Sequence, residues 1–532
     1  MTFSSKSVHR VKRALLIAPA LFIGVTCTKL TEVPHDALTP TNAFHTDVEI
    51  VAGIAGVYAQ LRAVEWVGYI TLEDITADVS IVPTRGSDWY DNGQWLDLHK
   101  QTWTANSSGT LAFIDGAWND LFAGVAKANL MIDVVSKTDG ANKNKYLAEL
   151  RTLRAWYYYM LQNMFGGVPL VTTTELKQYP RDSRTAIFAF IQTEINASLP
   201  DLPETWDAGN KGRITKGAAH AILASLYLNS GVFNKDSGVN ALAYNSCTQT
   251  VPGGKTGCQA AIDEVNALIL PGTYSLNPNW KQNFTSTNKS SPENIFVVVH
   301  SGEQGLGGNW PMRTLHYNQL STGDGGPWNG FATLAETYNA FNDADDRKGM
   351  WLQGQQKSFE TGLNVNDRNG KPLVFSVAIV DADTASEATG VRFNKFVPIP
   401  SPATGSGQPG DFTFFRLAEM YLIKAEALNE QGQTANALTE LNRVHNAHDA
   451  THPVVATTQA AMRDAILRER LLELAGEGKR RTDLIRHGKF LTWTEATAHG
   501  HVNKSAEPYR ILFPISALQL ASNPLLTQNP GY

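Results

Sequence analysis

Cysteine is scarce, with 3 in 532 residues, and no Cys-x-x-Cys pair occurs, so neither a disulfide-dense scaffold nor a dithiol site is available. The zinc-binding His-Glu-x-x-His and the Gly-x-Ser-x-Gly nucleophile elbow are also missing. Cations do not exceed acids: 45 Lys and Arg face 50 Asp and Glu, a formal charge of −5. Nucleic-acid binding needs clustered cations, so it is argued against. Past residue 25 no apolar run approaches the roughly 20 residues that span a bilayer, and the chain beyond is expected to face water. Apolar content is not lacking. At 42% hydrophobic against 18% charged the chain can build a large core and is too apolar for disorder.

The N-terminus combines a basic stretch (Lys6, Arg10, Lys12, Arg13) with an apolar run from Ala14 to Val25. That run is too short for a stable membrane anchor and suits a cleavable export signal over 1–26. Cys27 sits directly behind it, which suggests cleavage there and lipid attachment to its sulfur and new amine. Thr26 departs from the small residue usual before a lipidated cysteine, and an ordinary secretory peptide is the alternative. Loss of the leader would remove four cations and no acid, leaving a more acidic chain. Cys247 and Cys258 flank Val251-Pro-Gly-Gly-Lys-Thr-Gly257, a loop short enough to close on itself. In an exported protein a bond between them is expected, two free thiols being the alternative.

Helical periodicity dominates two regions. In the first, Asp47–Leu61 places Val48, Val51, Ile54, Ala55, Tyr58 and Leu61 on one side. Phe113–Val135, Lys143–Phe165, Ser183–Leu199 and Thr215–Leu228 follow, and Gly166-Gly167 with Pro169 gives the third of these five a strong stop. In the second, Phe414–Asn429, Thr434–Ala447, Thr458–Ala475 and Gly478–His487 read as helices. Short connections imply antiparallel hairpins, and stacked hairpins make a tetratricopeptide-like array, here without a regular repeat. The expected fold is mainly α: a scaffold over about 40–230 and 411–490, with a loop-rich insert over about 231–410 that contains short β-strands such as Ile295–Val299 and Val374–Val380. Such an insert either forms a binding surface or wraps the helices.

Four of the 12 tryptophans, Trp66, Trp89, Trp95 and Trp103, crowd one segment. The loop Val82–Gly93 between them adds Arg85, Asp88, Tyr90, Asp91 and Asn92. A flat ring covers the C–H face of a sugar, and Asp, Asn or Arg beside it pairs with the hydroxyls. Arg85, Asp88, Trp89, Tyr90, Asp91, Asn92 and Trp95 are therefore candidate ligand contacts, and Trp310 and Trp328 form a second group. The opposing reading places such rings in the core; it is favoured for Trp103, Trp118 and Trp156. Glu469, Arg470, Glu473, Glu477, Arg480, Arg481, Asp483 and Arg486 alternate in sign at helical spacing, which reads as ion pairs across turns and not as catalysis. Gly254-Lys-Thr256 reads as a polar turn. Asp343, Asp345 and Asp346 read as a solvated turn, with structural calcium the alternative.

The chain resembles the SusD/RagB family of outer-membrane nutrient-capturing lipoproteins. The resemblance runs from Cys27-Thr-Lys-Leu-Thr-Glu-Val-Pro34 and Thr39-Pro-Thr-Asn-Ala-Phe44 through Leu153-Arg-Ala-Trp-Tyr-Tyr158, Phe165-Gly-Gly-Val-Pro-Leu170 and Arg213-Ile-Thr-Lys-Gly-Ala-Ala219. It continues with Phe415-Arg-Leu-Ala-Glu-Met-Tyr-Leu-Ile-Lys-Ala-Glu-Ala427, Glu469-Arg-Leu-Leu-Glu-Leu-Ala475, Glu477-Gly-Lys-Arg480 and Asp483-Leu-Ile-Arg486. It closes on Phe513-Pro-Ile515 and Asn523-Pro-Leu-Leu-Thr-Gln-Asn-Pro-Gly-Tyr532. It implies a single domain over 27–532, lipidation at Cys27 and an outer-membrane protein facing the cell exterior. The implied function is non-catalytic: it binds oligosaccharide, needs no cofactor, and caps a SusC-like TonB-dependent transporter. It also implies ligand contacts after the first helix and in the stretch Gly308–Asn329. A peptide-capturing relative is the alternative, and a glycoside hydrolase a more distant one. Two positions depart from the family pattern. Gly476 replaces a bulkier apolar residue and is expected to loosen a helix by about 1 kcal/mol; Arg481 stands where an aromatic is common.

Overall fold

Thr46 starts the first helix with a reciprocal cap: its hydroxyl accepts from the Glu49 amide, and the Glu49 carboxylate accepts from the Thr46 amide at 2.8 Å. In this computed structural model the described residues are 44, 46–65, 69–323, 326–400, 407–492 and 507–532. The leader, Cys27 and Trp66 lie outside them. Helix α1 (Asp47–Ala63) buries Ile50, Ile54, Val57 and Leu61. Val48, expected on that face, is 79% exposed; the buried stripe is rotated by part of a turn from the one read in the sequence.

Short helices α2 (Tyr69–Ile75) and α3 (Gln94–His99) bracket a long loop, and α4 (Ser108–Ser136), α5 (Lys143–Phe165) and α6 (Arg184–Ser198) follow, α5 packing against both neighbours. Ser183, Thr215 and Thr256 cap α6, α7 (Lys216–Leu228) and α9 (Gly257–Ile269) by accepting from the third amide beyond. The single turn α8 (Ser230–Phe233) lies between the last two. Helix α9 falls inside the stretch expected to be loop-rich, yet it packs on α7 and on α12 (Leu417–Glu430). The Cys247–Cys258 disulfide anchors its first turn.

From there on, irregular chain prevails. It holds β1 (Asn294–Val298), α10 (Trp310–Thr314), α11 (Ala335–Asn339), β2 (Trp351–Leu352), β3 (Gly354–Gln355), β4 (Val374–Phe375) and β5 (Arg392–Phe393). These strands form antiparallel pairs: β1 with β6 (Phe412–Arg416), β2 with β5, and β3 with β4. Two expected boundaries shift. The strand read over Val374–Val380 is limited to its first two residues, and the helix read from Phe414 begins only at Leu417, because Phe412–Arg416 pairs with β1. That pairing brings Phe296, Phe414 and Phe415 against Trp156 of α5, with ring centroids 5.1–5.5 Å apart, so sheet and helices share one core. Trp103 and Trp118 are also buried.

Helices α12, α13 (Thr434–His445), α14 (Gln459–Leu474) and α15 (Arg480–Arg486) form the second helical region, and α16 (Ala517–Ser522) lies near the C-terminus. The architecture is mainly α, helical hairpins carrying a loop-rich insert with short strands. The charged residues of α14 and α15 form a structural network of ion pairs, as expected, but few of the pairs run across the turns of one helix. They are buried and pair mostly between elements. Arg347 meets Glu469 at 2.6 Å, Glu473 at 2.7 Å and Asp345 at 2.8 Å. Arg416 meets Glu293 and Glu477 at 2.8 Å and also Glu473. Arg470 meets Asp483 at 2.7 Å, and Arg486 meets Glu426 at 2.7 Å. From Glu469 to the end of α15 the chain is buried throughout, so a charge there must find its partner across the core.

Asp345 is accordingly buried against Arg347, while Asp343 pairs with Lys348 and Asp346 with His448. They do not form one solvated turn. Gly476 lies past the end of α14 at φ +78°, where a Cβ would sit 2.1 Å from the Phe393 ring. Glycine is required there and weakens no helix. Arg481 is fully buried; it donates to the Ile511 carbonyl at 2.8 Å and lies 4.6 Å over the Phe513 ring.

Candidate functional site

The loop between α2 and α3 is pinned to the insert before it turns outward. Ile81 and Ala332 exchange both backbone hydrogen bonds, and the Thr84 amide donates to the Ala382 carbonyl at 2.8 Å. Arg85 and Asp88 then close a tight turn through reciprocal backbone bonds of 2.9 and 3.1 Å. Beyond this turn the backbone is strained: Trp89, Asp91 and Asn92 have φ of +63°, +40° and +57°. A bulky residue in that region costs free energy and persists only when the surroundings impose it.

The imposing contacts are aromatic. The Trp89 indole donates to the Trp328 carbonyl at 2.7 Å, and the Trp95 indole to the Asp91 carboxylate at 2.7 Å. Trp89 lies 5.4 Å from Trp95 and 6.1 Å from Phe331, edge to face. Trp310 lies 5.9 Å from Phe331. Gly330 backs directly on the Trp89 ring, since a Cβ would come within 2.4 Å of it. The structure thus brings together the two stretches that the sequence offers as separate candidates.

Their exposure differs sharply. Arg85, Trp95 and Trp310 are buried at 3%, 6% and 7%, so they support the loop from within. Tyr90 is 57% exposed. Asp91 and Asn92 are exposed, and Asp88, Trp89 and Trp328 are half-buried. Water therefore meets Tyr90, Asp88, Asp91, Asn92 and the accessible parts of Trp89 and Trp328.

Three polar residues that the sequence does not single out, Tyr317, Arg368 and Glu387, complete this surface, with buried His316 behind them. The Asp88 carboxylate accepts from the Tyr317 hydroxyl at 2.6 Å and from Arg368 at 2.7 Å. The Arg368 guanidinium stacks 4.1 Å over the Tyr317 ring. Arg368 also pairs with Glu387, whose carboxylate accepts from the Arg368 amide at 3.0 Å and contacts His316 at 3.0 Å. The Tyr317 hydroxyl, and after it Arg368, hold the Asp88 carboxyl below its usual range. Glu387 is also held low: its partial burial is outweighed by the Arg368 amide and guanidinium and by His316. Burial lowers His316 and brings the Arg85 guanidinium down to about 9. Only the turn-forming Asp367-Arg-Asn-Gly370 marks Arg368 in the sequence, and nothing there links it to Asp88, 280 residues away.

Two carboxylates locked ionised on one arginine cannot serve as proton donors, because a general acid needs a raised pKa. Flat rings, a planar cation and fixed acceptors can instead hold a polyhydroxylated ligand by stacking and hydrogen bonding. Among the described residues no group of three or more His, Cys, Asp or Glu side chains is placed to hold a metal ion, and no helix is long and apolar enough to cross a membrane.

Comparison with known proteins bears on the whole chain. A family model described as the SusD family matches residues 274–532. A second, described as starch-binding associating with outer membrane, matches 38–228. The chain is similar to SusD-like protein P25 of Formosa agariphila, 23% identical over 98% of this chain and 100% of that one. It is also similar to the starch-binding protein SusD of Bacteroides thetaiotaomicron, 24% identical over 84% and 82% of the two chains. Among solved structures a laminarin-binding SusD-like protein superposes with a TM-score of 0.68 at 24% identity, covering 92% of this chain and 100% of that one.

Proposed function

The chain belongs to the SusD family, and from that premise we propose that it is a non-catalytic outer-membrane protein that binds an oligosaccharide. The observation that carries this reading is the strained loop at 89–92, with Trp89, Asp91 and Asn92 left-handed, which leaves Tyr90 exposed near Asp88, itself held by the Tyr317–Arg368 stack. The rings would take the sugar faces and the fixed polar groups the hydroxyls. Relatives named for binding starch and laminarin support a glycan as the ligand. In the same reading, lipid at Cys27 tethers the protein at the cell surface, where it delivers its ligand to a SusC-like TonB-dependent transporter. A lipid with two or more chains gives stable membrane attachment.

Affinity gels containing starch, laminarin or other glycans test the proposal with the full chain and its Tyr90→Ala and Asn92→Ala variants, whose side chains support no core. Retention of the native protein and at least about tenfold weaker retention of the Tyr90 variant are expected, a loss of roughly 1.4 kcal/mol. Unchanged retention of both folded variants would move the site elsewhere. Retention by no glycan, with oligopeptide binding in calorimetry, would replace the proposal by peptide capture. Release of reducing sugar would replace it by hydrolysis.

A further inference from the structure

A second concave surface lies beyond the aromatic loop. Residues 351–362, which include β2 and β3, form a cleft of about 480 Å³ with Tyr338 of α11 and Gln319; Trp351, Gln353, Gln355, Lys357 and Phe359 are in its wall. Gln319 and Gln356, also in its wall, are committed to the framework: Gln319 donates to the Gln356 side chain at 3.0 Å and accepts from the His316 amide at 2.9 Å. The Phe359 amide donates to the Gln319 carbonyl at 2.8 Å, fixing these two parts of the wall together. Gln353 is exposed; Gln355 is exposed too, its side-chain amide donating to the Gln356 and Val365 carbonyls at 3.0 and 3.2 Å, which leaves its oxygen to accept; Phe359 and Tyr338 are half-buried. Trp351 is 6% exposed, yet its indole N–H is buried with no hydrogen-bond partner among the described residues. A native structure rarely leaves such a donor unpaired without a reason.

The chemistry of this wall is distinctive. It combines aromatic rings with carboxamides, contains no carboxylate, and has a single cation in exposed Lys357. Carboxamides both donate and accept, as hydroxyls do, so such a wall matches an uncharged polyhydroxylated ligand and offers an anion little. It has no acid to cleave a glycosidic bond. The cleft is also tied to the first site. Tyr317 holds Asp88 there while Gln319, two residues on, builds the cleft wall, and Arg368 sits on the same hairpin as Gln355.

We propose that this cleft is a second subsite for a neutral saccharide, reached by a longer chain whose other part lies on the Tyr90 surface. The proposal rests on the glycan-binding reading of that surface. Occupying both sites makes the second contact intramolecular, so long ligands gain affinity that short ones do not.

The test uses the full chain, the polysaccharide that retains it best in affinity gels, and a short oligosaccharide of that same glycan. Gln353→Ala with Tyr338→Ala is expected to weaken polysaccharide retention about tenfold and to leave affinity for the short oligosaccharide within about twofold. In hydrogen-exchange mass spectrometry the polysaccharide should slow exchange at 351–363 as well as at 85–93. Native-like retention of the folded double variant, or slowed exchange at 85–93 alone, overturns the second subsite and leaves the first intact. Slowed exchange at neither segment, or retention by no glycan, overturns both.

Discussion

Arg416 and Arg368 each bind more than one carboxylate, yet they lie at opposite depths and have opposite consequences. Arg416 is 1% exposed, and every guanidinium nitrogen is engaged with Glu293, Glu473, Glu477 or the Glu473 carbonyl. Its partners come from the insert and from the end of α14, so it ties the second helical region to the insert. Arg368 is 48% exposed and holds Asp88 and Glu387 from a surface hairpin, with Nη1 making no hydrogen bond among the described residues. Water screens that group, so it can exchange partners at little cost. A buried arginine with three carboxylates defines where elements must sit; an exposed one with two remains available to a ligand.

Breaking the deep member should have the largest effect. Arg416→Met leaves three buried carboxylates with one cation fewer, and removing one partner of a buried network costs about 3–5 kcal/mol. Urea denaturation of the variant should show that loss; a change below about 1 kcal/mol would mean the network is not the core's anchor.

The same deep region carries a smaller, pH-linked effect. His448 contacts Asp346 at 2.9 Å and Glu473 at 3.3 Å. Burial and Arg347 push its pKa down, but Glu473 and Asp346 outweigh them and raise it to about 9. A raised folded-state pKa gives stability that is complete below the ordinary histidine value of about 6.5 and is lost as pH climbs through about 9. The unfolding free energy should therefore fall by about 3 kcal/mol across that window. His448→Gln should flatten the slope, and an unchanged slope would assign the pH dependence to other groups.

Helix α5 was legible down to its last residue because every signal for it is local. Apolar spacing persists to Phe165, and Gly166-Gly167 and Pro169 end it. Ser183, Thr215 and Thr458 were legible as helix starts for the same reason. Helix α9 was not, since it follows a Gly- and Pro-bearing loop and one of its two packing partners, α12, lies far along the chain. Phe412–Arg416 misled because an apolar run that continues into a helix looks helical until its strand partner, some 120 residues earlier, is known. At the site, composition found the aromatic loop and its acidic and amide residues. It could not tell Tyr90 from Trp95, because which ring faces water depends on Phe113 and Phe331 arriving from elsewhere. Tyr317, Arg368 and Glu387 join Asp88 only through the tertiary fold, and one sequence carries no trace of that meeting.

The shallow arginine gives the smallest effect on stability and the sharpest contrast. Arg368→Ala removes an exposed pair, and such pairs contribute about 0–1 kcal/mol, so urea denaturation should shift by no more than that. Asp88 and Glu387 would then lose the cation that helps hold them ionised, and Tyr317 would lose the guanidinium stacked on its ring. If this surface holds glycan, retention in the affinity gels should weaken about tenfold or more, roughly 1.4 kcal/mol of binding. The variant would then keep its stability and lose its ligand, whereas Arg416→Met loses about 3–5 kcal/mol of stability. Should Arg368→Ala destabilise the protein as much as Arg416→Met does, both arginines would be structural and the difference in depth would carry no functional meaning.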